Sequence, residues 1–361
     1  MVLCSPFSNF YPIDYNILMK KLRAAVIGVG HLGKEHARIY SSLPEVELVA
    51  LCDLDPSKAE RATALGAKFI SDFHELLGTI DIASIATPTS THFQIAREVL
   101  NAGVHVLIEK PITACLEDAD ELIEIAKRKN LTLQVGHLER YNAGFRRVEQ
   151  IAKNIRFLEI HRLGPFTPRV ADCGVVLDLM IHDIDIVLQL VKSEIASIDA
   201  IGINVLTPYE DIANVRIKFK NNAIADLTAS RLTPEAQRKI RIFQEDAYIS
   251  LDYVAQSAQI FRKASLPAAL FGGFAVKLGG AIRPTEKTNL AEFFGGKISR
   301  EQIDIQKEEP LKAEIEDFVR SVARASSNGK PDIQAREALR VALQVLESIK
   351  ENAPRQPIHA S

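Results

Sequence analysis

The stretch Ala24-Ala-Val-Ile-Gly28-Val-Gly30-His-Leu-Gly33 constrains the fold more than any other part of the chain. Four small or branched apolar residues run into a glycine-spaced turn, and a helical pattern follows. A buried parallel strand turns into a helix in this way, leaving the helix N–H groups facing outward. Gly28 permits the tight turn, Gly30 lets the backbone approach a ligand, and Gly33 lets helix and strand pack closely. The positive end of the helix then suits a pyrophosphate. A second strand-like run ends at Asp53, twenty residues after Gly33, where an adenosine ribose needs an acceptor. An ordinary tight turn requires no such partner.

The rhythm continues for more than a hundred residues. Strands are expected at 67–70, 81–86, 104–108 and 131–135, and helices at 31–43, 56–65, 93–101 and 116–129. Alternation of this kind predicts a doubly wound parallel sheet, whose strand ends form a binding crevice. Those ends carry Asp53, Thr87-Pro88, Glu109-Lys110-Pro111 and Gly136-His137. From about residue 155 the pattern changes to strands joined by short turns, at 155–163, 195–206, 212–219, 223–232, 238–244 and 247–253. Asn221-Asn222 marks a hairpin between two of them. The expected fold is α/β, an N-terminal Rossmann domain over 21–140 followed by an α+β domain over 141–361 with a largely antiparallel open sheet. Two helices, near 311–325 and 334–350, close the chain. Residues 1–20 read as an extension without a signal-peptide pattern, and 266–296, with no clear period, as an insertion or interface arm.

Length agrees, since 361 residues exceed what one core usually supports. The net charge of −2 provides no field for nucleic acid or anionic lipid, and no apolar run approaches the ~20 residues that span a bilayer. The four cysteines, Cys4, Cys52, Cys115 and Cys173, are scattered without a C-x-x-C pair. They predict reduced thiols in a cytoplasmic protein. His31, His74, His92, His105 and His161 read by themselves as structural or surface residues, without zinc-ligand spacing, so metal dependence is not indicated.

Residues 174–191 form the most informative segment of the second domain. They are apolar almost all round, as in a buried helix, yet Asp178, His182, Asp185 and Gln189 fall at offsets 0, 4, 7 and 11, one narrow stripe on an α-helix. Unpaired polar burial is costly. The stripe is therefore either a hydrogen-bonded seam between elements or the wall of a cleft opposite the cofactor, and a dinucleotide protein favours the cleft. Asp183 points away from it. Farther upstream, Tyr141, Phe145 and Val148 share a helix face, flanked by Arg140 and Arg147, and arginine suits a pyrophosphate. A solvated charged helix edge explains those arginines equally well.

Together, Gly28-Val-Gly30-His-Leu-Gly33 with His36, Ala86-Thr-Pro-Thr-Ser-Thr-His92, Glu109-Lys110-Pro111 and Asp178-Leu-Met-Ile-His182-Asp resemble the Gfo/Idh/MocA oxidoreductases, over nearly the whole chain from residue 22. The resemblance implies a two-domain dehydrogenase of sugars or polyols that uses NAD. It places Gly28, Gly30, His31, Leu32, Gly33, Asp53, Thr87, Pro88, His92, Glu109, Lys110 and His137 along the cofactor. It makes Lys110, Asp178 and His182 catalytic and Pro111 cis. Gly136-His-Leu-Glu-Arg-Tyr-Asn142 is similar to a stretch of UDP-N-acetylglucosamine 3-dehydrogenase-like members, with Tyr141 in place of Phe and Ala143 in place of Pro. This implies a nucleotide-sugar substrate held by Lys110, Arg140, Tyr141, Arg147, Asp178, His182 and Asp185, and a homo-oligomer, dimer or tetramer, formed through the C-terminal sheet.

The rival readings are a dehydrogenase of free polyols, inositol-like in chemistry, and a dinucleotide-sensing regulator without catalysis. Lys110, Asp178 and His182 together speak against the regulator, since a sensor needs no proton-transfer set. In the expected chemistry His182 takes the hydroxyl proton, with a rate limb at mildly acidic to neutral pH. Asp178 fixes the imidazole tautomer, and Lys110 hydrogen-bonds the reacting oxygen. The alternative gives Lys110 the base role.

Overall fold

The computed structural model describes residues 21–167, 173–263, 298–324 and 332–352. The extension 1–20 and most of the insertion, including all of 266–296, lie outside them.

Six short apolar strands build the first sheet: β1 (Leu22–Ile27), β2 (Val46–Cys52), β3 (Lys68–Ile70), β4 (Ile82–Ile85), β5 (His105–Ile108) and β6 (Leu133–Val135). All pair in parallel, in the order β3-β2-β1-β4-β5-β6. Every residue of β4 is buried, as a central strand covered on both faces requires. The order reverses between β1 and β4, so the crevice opens beyond their C-terminal ends. Helices α1 (Gly33–Ser42), α2 (Ala59–Ala64), α3 (Thr89–Asn101) and α4 (Leu116–Lys129) make the crossovers. α3 begins four residues before its expected start. Pro88 occupies the N-cap, where its missing N–H interrupts no helical bond, so the hydroxyl-rich run enters the helix.

The second sheet has eight strands in the order β14-β13-β12-β11-β7-β10-β9-β8. They are β7 (Phe157–Leu163), β8 (Ile195–Ile203), β9 (Ile212–Phe219), β10 (Ile224–Ser230), β11 (Gln237–Phe243), β12 (Ala247–Asp252), β13 (Ser257–Lys263) and β14 (Ile298–Ile303). Among the described strands of this sheet only β7 and β10 run parallel. Strict alternation, as in β9, gives the sheet one buried and one open face. The buried face packs on α5 (Ala143–Ile151), α6 (Ile181–Val191) and the last helix, and Phe145, Ile184, Val187, Ile240 and Val345 share one core there. β13 and β14 were not expected. β14 lies at the edge of the sheet with four consecutive exposed residues, so no alternation marks it.

The closing helices α7 (Pro310–Arg324) and α8 (Ile333–Asn352) correct the simple division at residue 141. Ile315, Phe318 and Val319 of α7 pack into the core of the first sheet beside Val26 and Tyr40. α8 contributes Leu339 to the first domain and Val341 and Val345 to the second, joining the two.

Candidate active site

Each element of the glycine turn has the space its role demands. Gly28 adopts φ +88°, and a Cβ there would meet Ala86 O at 2.7 Å; at Gly33 a Cβ would lie 1.8 Å from Gly28 O. At Gly30 a Cβ would meet nothing within 4 Å, so the exposed loop leaves open space beside its backbone. Asp53 accepts from Val29 N at 2.6 Å through Oδ2 and from Asp55 N at 2.9 Å through Oδ1, which fixes its carboxylate at the end of β2. A cavity of about 580 Å³ adjoins these groups, lined by Gly28, Gly30, Asp53, Leu54, Thr87 and Pro88 among others. These residues fit a dinucleotide: an unobstructed backbone for the pyrophosphate and an oriented carboxylate for the ribose. His31 is exposed and Leu32 half-buried at the loop rim.

The end of β5 is braced from several sides. The Lys110–Pro111 peptide is cis. His92, expected along the cofactor, is instead buried, with its ring nitrogens 2.9 Å from Pro111 O and 2.9 Å from Thr87 O. It ties two crevice loops together from behind. Glu109 is buried and lies 3.0 Å from His36 Nε2, whose Nδ1 is 3.0 Å from Ser84 Oγ; Tyr40 OH completes the chain at 2.9 Å from the same hydroxyl. Burial opposes ionisation of Glu109, but the His36 hydrogen bond, with the His36 and Lys110 charges, leaves its pKa below the ordinary value. Among the described residues Glu109 Oε2 has no hydrogen-bond partner. Gly136 leaves it room, since a Cβ there would approach it to 2.8 Å.

Opposite this loop stands the 174–191 helix, whose first turns are wider than expected. Val176–Met180 form a π turn, and α6 continues from Ile181. π turns depart from the α-helical period and recur at functional sites. Across the cleft, Lys110 Nζ donates to Asp178 Oδ1 at 3.0 Å and also to Asp178 O. No hydrogen bond joins Asp178 to His182, contrary to the expected tautomer contact. The carboxylate turns to the lysine, and His182 Nδ1 is buried without a hydrogen-bond partner among the described residues. The His182 and His137 rings meet edge to face at 5.9 Å. Burial, then the Lys110 and Arg162 charges, push the His182 pKa well below its ordinary value. The imidazole is therefore held in its neutral form.

The polar stripe divides in two. Its first half, Asp178 and His182, faces Lys110. Its second half is a seam: Arg140 Nε donates to Asp185 Oδ2 at 2.7 Å, Arg140 Nη1 to Asp332 Oδ2 at 2.8 Å, and Gln189 Nε2 to Asp185 Oδ2 at 2.9 Å. Both cleft and seam therefore exist, on one helix. This corrects several expected substrate contacts. Arg140 is paired with two carboxylates, and Asp185 is 1% exposed beneath it. Tyr141 directs its OH to Asp317 Oδ2 at 2.9 Å and carries the Arg146 guanidinium on its ring. Arg147 lies on the solvent side of α5 and bonds Gln150 at 3.0 Å, because Gly144, Phe145 and Val148 form the buried face.

Two buried charge systems escaped the sequence. Arg162 reaches Asp183 through two bonds, at 2.9 and 2.7 Å, and Glu139 at 2.9 Å, all three residues being buried. Asp183 does point away from the stripe, as expected. Glu314 of α7 is fully buried, and neither carboxyl oxygen has a hydrogen-bond partner among the described residues. Burial and the Glu109 charge raise its pKa well above the ordinary value. An Arg on a strand or a Glu on an amphipathic helix carries no signal of burial in one sequence alone.

A nicotinamide-dependent oxidoreductase of two domains is what this fold and crevice define, and the chain belongs to the Gfo/Idh/MocA family. Residues 22–137 match the family model described as the oxidoreductase family, NAD-binding Rossmann fold, and residues 155–250 match the GFO/IDH/MocA C-terminal domain. The chain is 34% identical over 334 residues to UDP-N-acetylglucosamine 3-dehydrogenase of Acidithiobacillus ferrooxidans, covering 92% of this chain and 98% of that one. A solved structure of the enzyme from that organism superposes with a TM-score of 0.79. The scyllo-inositol 2-dehydrogenase (NAD(+)) of Bacillus subtilis is 32% identical over 59% of this chain and 68% of its own length.

Proposed function

We propose that the protein oxidises the C3 hydroxyl of UDP-N-acetylglucosamine, with NAD as hydride acceptor. One observation carries the chemistry: the Lys110–Asp178 pair at 3.0 Å, beside a neutral, buried His182 and facing the cofactor crevice. Gly28, Gly30, Gly33, Asp53, Thr87 and Glu109 would hold the dinucleotide, which when bound takes the hydride from the alcohol carbon. The chain's own residues handle the proton. His182 accepts it from the hydroxyl as the ketone forms, and Lys110, oriented by Asp178, donates a hydrogen bond to the reacting oxygen. Carbon loses a hydride and oxygen a proton, so the products are ketone, NADH and one proton.

The substrate rests on the long match to the Acidithiobacillus enzyme, which spans nearly both chains. The second reading, an inositol-type polyol, rests on the shorter match to the Bacillus enzyme. Incubation of the protein with NAD and either UDP-N-acetylglucosamine or inositol isomers, followed at the NADH absorbance, separates them. Signal only with inositols overturns the nucleotide-sugar reading.

The same proposal includes a cytoplasmic homo-oligomer. Among the described residues no helix is long and apolar enough to cross a membrane, and Cys52 and Cys115 form no disulfide. On the open face of the second sheet, Phe157, Phe243, Tyr248 and Phe261 stack in a row with centroids 5.5, 4.9 and 5.2 Å apart. Glu159 and Arg241 lie paired beside them, so a second copy could meet this face about a twofold axis. Light scattering of the Tyr248→Arg variant tests it, with dissociation expected and an unchanged mass contradicting it.

A further inference from the structure

Arg140 is paired with Asp185 and Asp332, and Arg147 is exposed and bonded to Gln150, so a diphosphate in the cleft would need another cation. Arg238, near the start of β11, stands directly opposite Arg162 in the antiparallel pairing with β7. Directly opposed residues share a sheet face, and Leu158, Ile160, Ile240 and Ile242 show that this face is the buried one, under α6. Both arginines thus rise toward the helix that carries the active site. Arg162 ends on Asp183, the neighbour of His182. Arg238 stays exposed, and no hydrogen bond or ion pair connects its guanidinium to any described residue. Its charge acts on His182; burial and the Arg162 charge weigh on it in return, and the Glu139, Asp183 and Asp178 charges partly offset them.

A guanidinium beside a second guanidinium, with carboxylates near but none hydrogen-bonded to it among the described residues, has its planar face free for an anion. Its planar fork matches two oxygens of a phosphate. We propose that Arg238 is the residue that grips the diphosphate of the nucleotide-sugar substrate and so selects it over a free sugar. The proposal rests on the nucleotide-sugar reading above. It places the diphosphate at the mouth of the second sheet, while the sugar ring extends inward to His182 and Lys110.

The test uses the full-length wild type with Arg238→Gln and Arg238→Lys. Steady-state rates are measured with UDP-N-acetylglucosamine and NAD, together with inhibition by UDP and NAD affinity by calorimetry. Loss of a charged hydrogen bond predicts that Arg238→Gln raises KM for the sugar nucleotide and Ki for UDP by about 10- to 100-fold. kcat and NAD affinity should stay within about threefold, the hallmark of lost uniform binding. Arg238→Lys should recover part of the loss, since the charge returns without the fork. A wild type active on the sugar nucleotide, with Arg238→Gln unchanged in KM and Ki, overturns the assignment alone. A fall in kcat at constant KM also overturns it and makes Arg238 a positioning residue for Asp183. If wild type neither turns over the sugar nucleotide nor binds UDP, the substrate reading fails and takes this one with it.

Discussion

Lys110 reaches across the cleft from the cis-Pro loop of the first domain and donates to Asp178 Oδ1 at 3.0 Å in the second. The ammonium that would stabilise negative charge on the reacting oxygen is thereby oriented by the domain that would hold the substrate. Residues acting as one unit are non-additive. Lys110→Met is expected to lower kcat by about 10²–10³-fold, and adding Asp178→Asn to it should cost little more. Rates of the two single variants and the double variant check this; independent multiplication of the two losses would contradict the coupling.

Asp53 offers an oriented carboxylate where an adenosine ribose would lie, with exposed Leu54 and Asp55 after it. That geometry favours a ribose hydroxyl over a phosphate, which the carboxylate would repel. NAD should bind more tightly than NADP by calorimetry, and Asp53→Ser should narrow the gap from both sides. Equal binding of the two by wild type would show that Lys58 and Arg61 offset the repulsion.

Glu314 provides a stability test with a definite sign. Its folded pKa is raised well above the ordinary value by burial, then by the Glu109 charge. The unfolded chain ionises near pH ~4.3, whereas the folded one keeps the proton. Stability from this group is therefore present below that pH and declines as pH rises toward the folded pKa. Glu314→Gln should raise Tm at pH 8 while leaving it nearly unchanged near pH 4.5. A uniform fall in Tm at both pH values would mean that the carboxyl has a partner that the amide cannot replace.

The acid side of the rate profile follows from His182. Its pKa is lowered by burial and then by the Lys110, Arg162, His137 and Arg238 charges. The expected limb at mildly acidic to neutral pH is thus displaced, and kcat for oxidation should hold its plateau down through pH ~6.5 before falling. The same depression makes the fold acid-labile: below pH ~6.5 the unfolded chain takes the proton first, and stability is lost. A limb centred above pH 7 would contradict the burial of the ring.

Much of this was legible in the residues because local rules and tertiary structure agreed. Gly28, Gly33 and Asp53 carry signals of shape, and the apolar strands of the first sheet carry signals of burial. The 174–191 stripe announced a polar line on a buried helix but could not divide it. Only the fold brings Arg140 to Asp185 and leaves Asp178 to Lys110. Arg140, Arg147 and Arg238 are alike in sequence, each a cation near an apolar run. They are told apart by what packs beside them: two carboxylates, solvent, and a second guanidinium. β14 was missed for the converse reason, since an edge strand of exposed polar residues lacks the alternation that marks β9.

The most direct test is kcat of the His182→Ala variant with UDP-N-acetylglucosamine and NAD, measured beside NAD affinity. With the proton acceptor gone and the crevice intact, kcat should fall by about 10²–10⁴-fold while NAD binds as in wild type. Near-full activity with the same pH limb would contradict the assignment and move the base to Lys110.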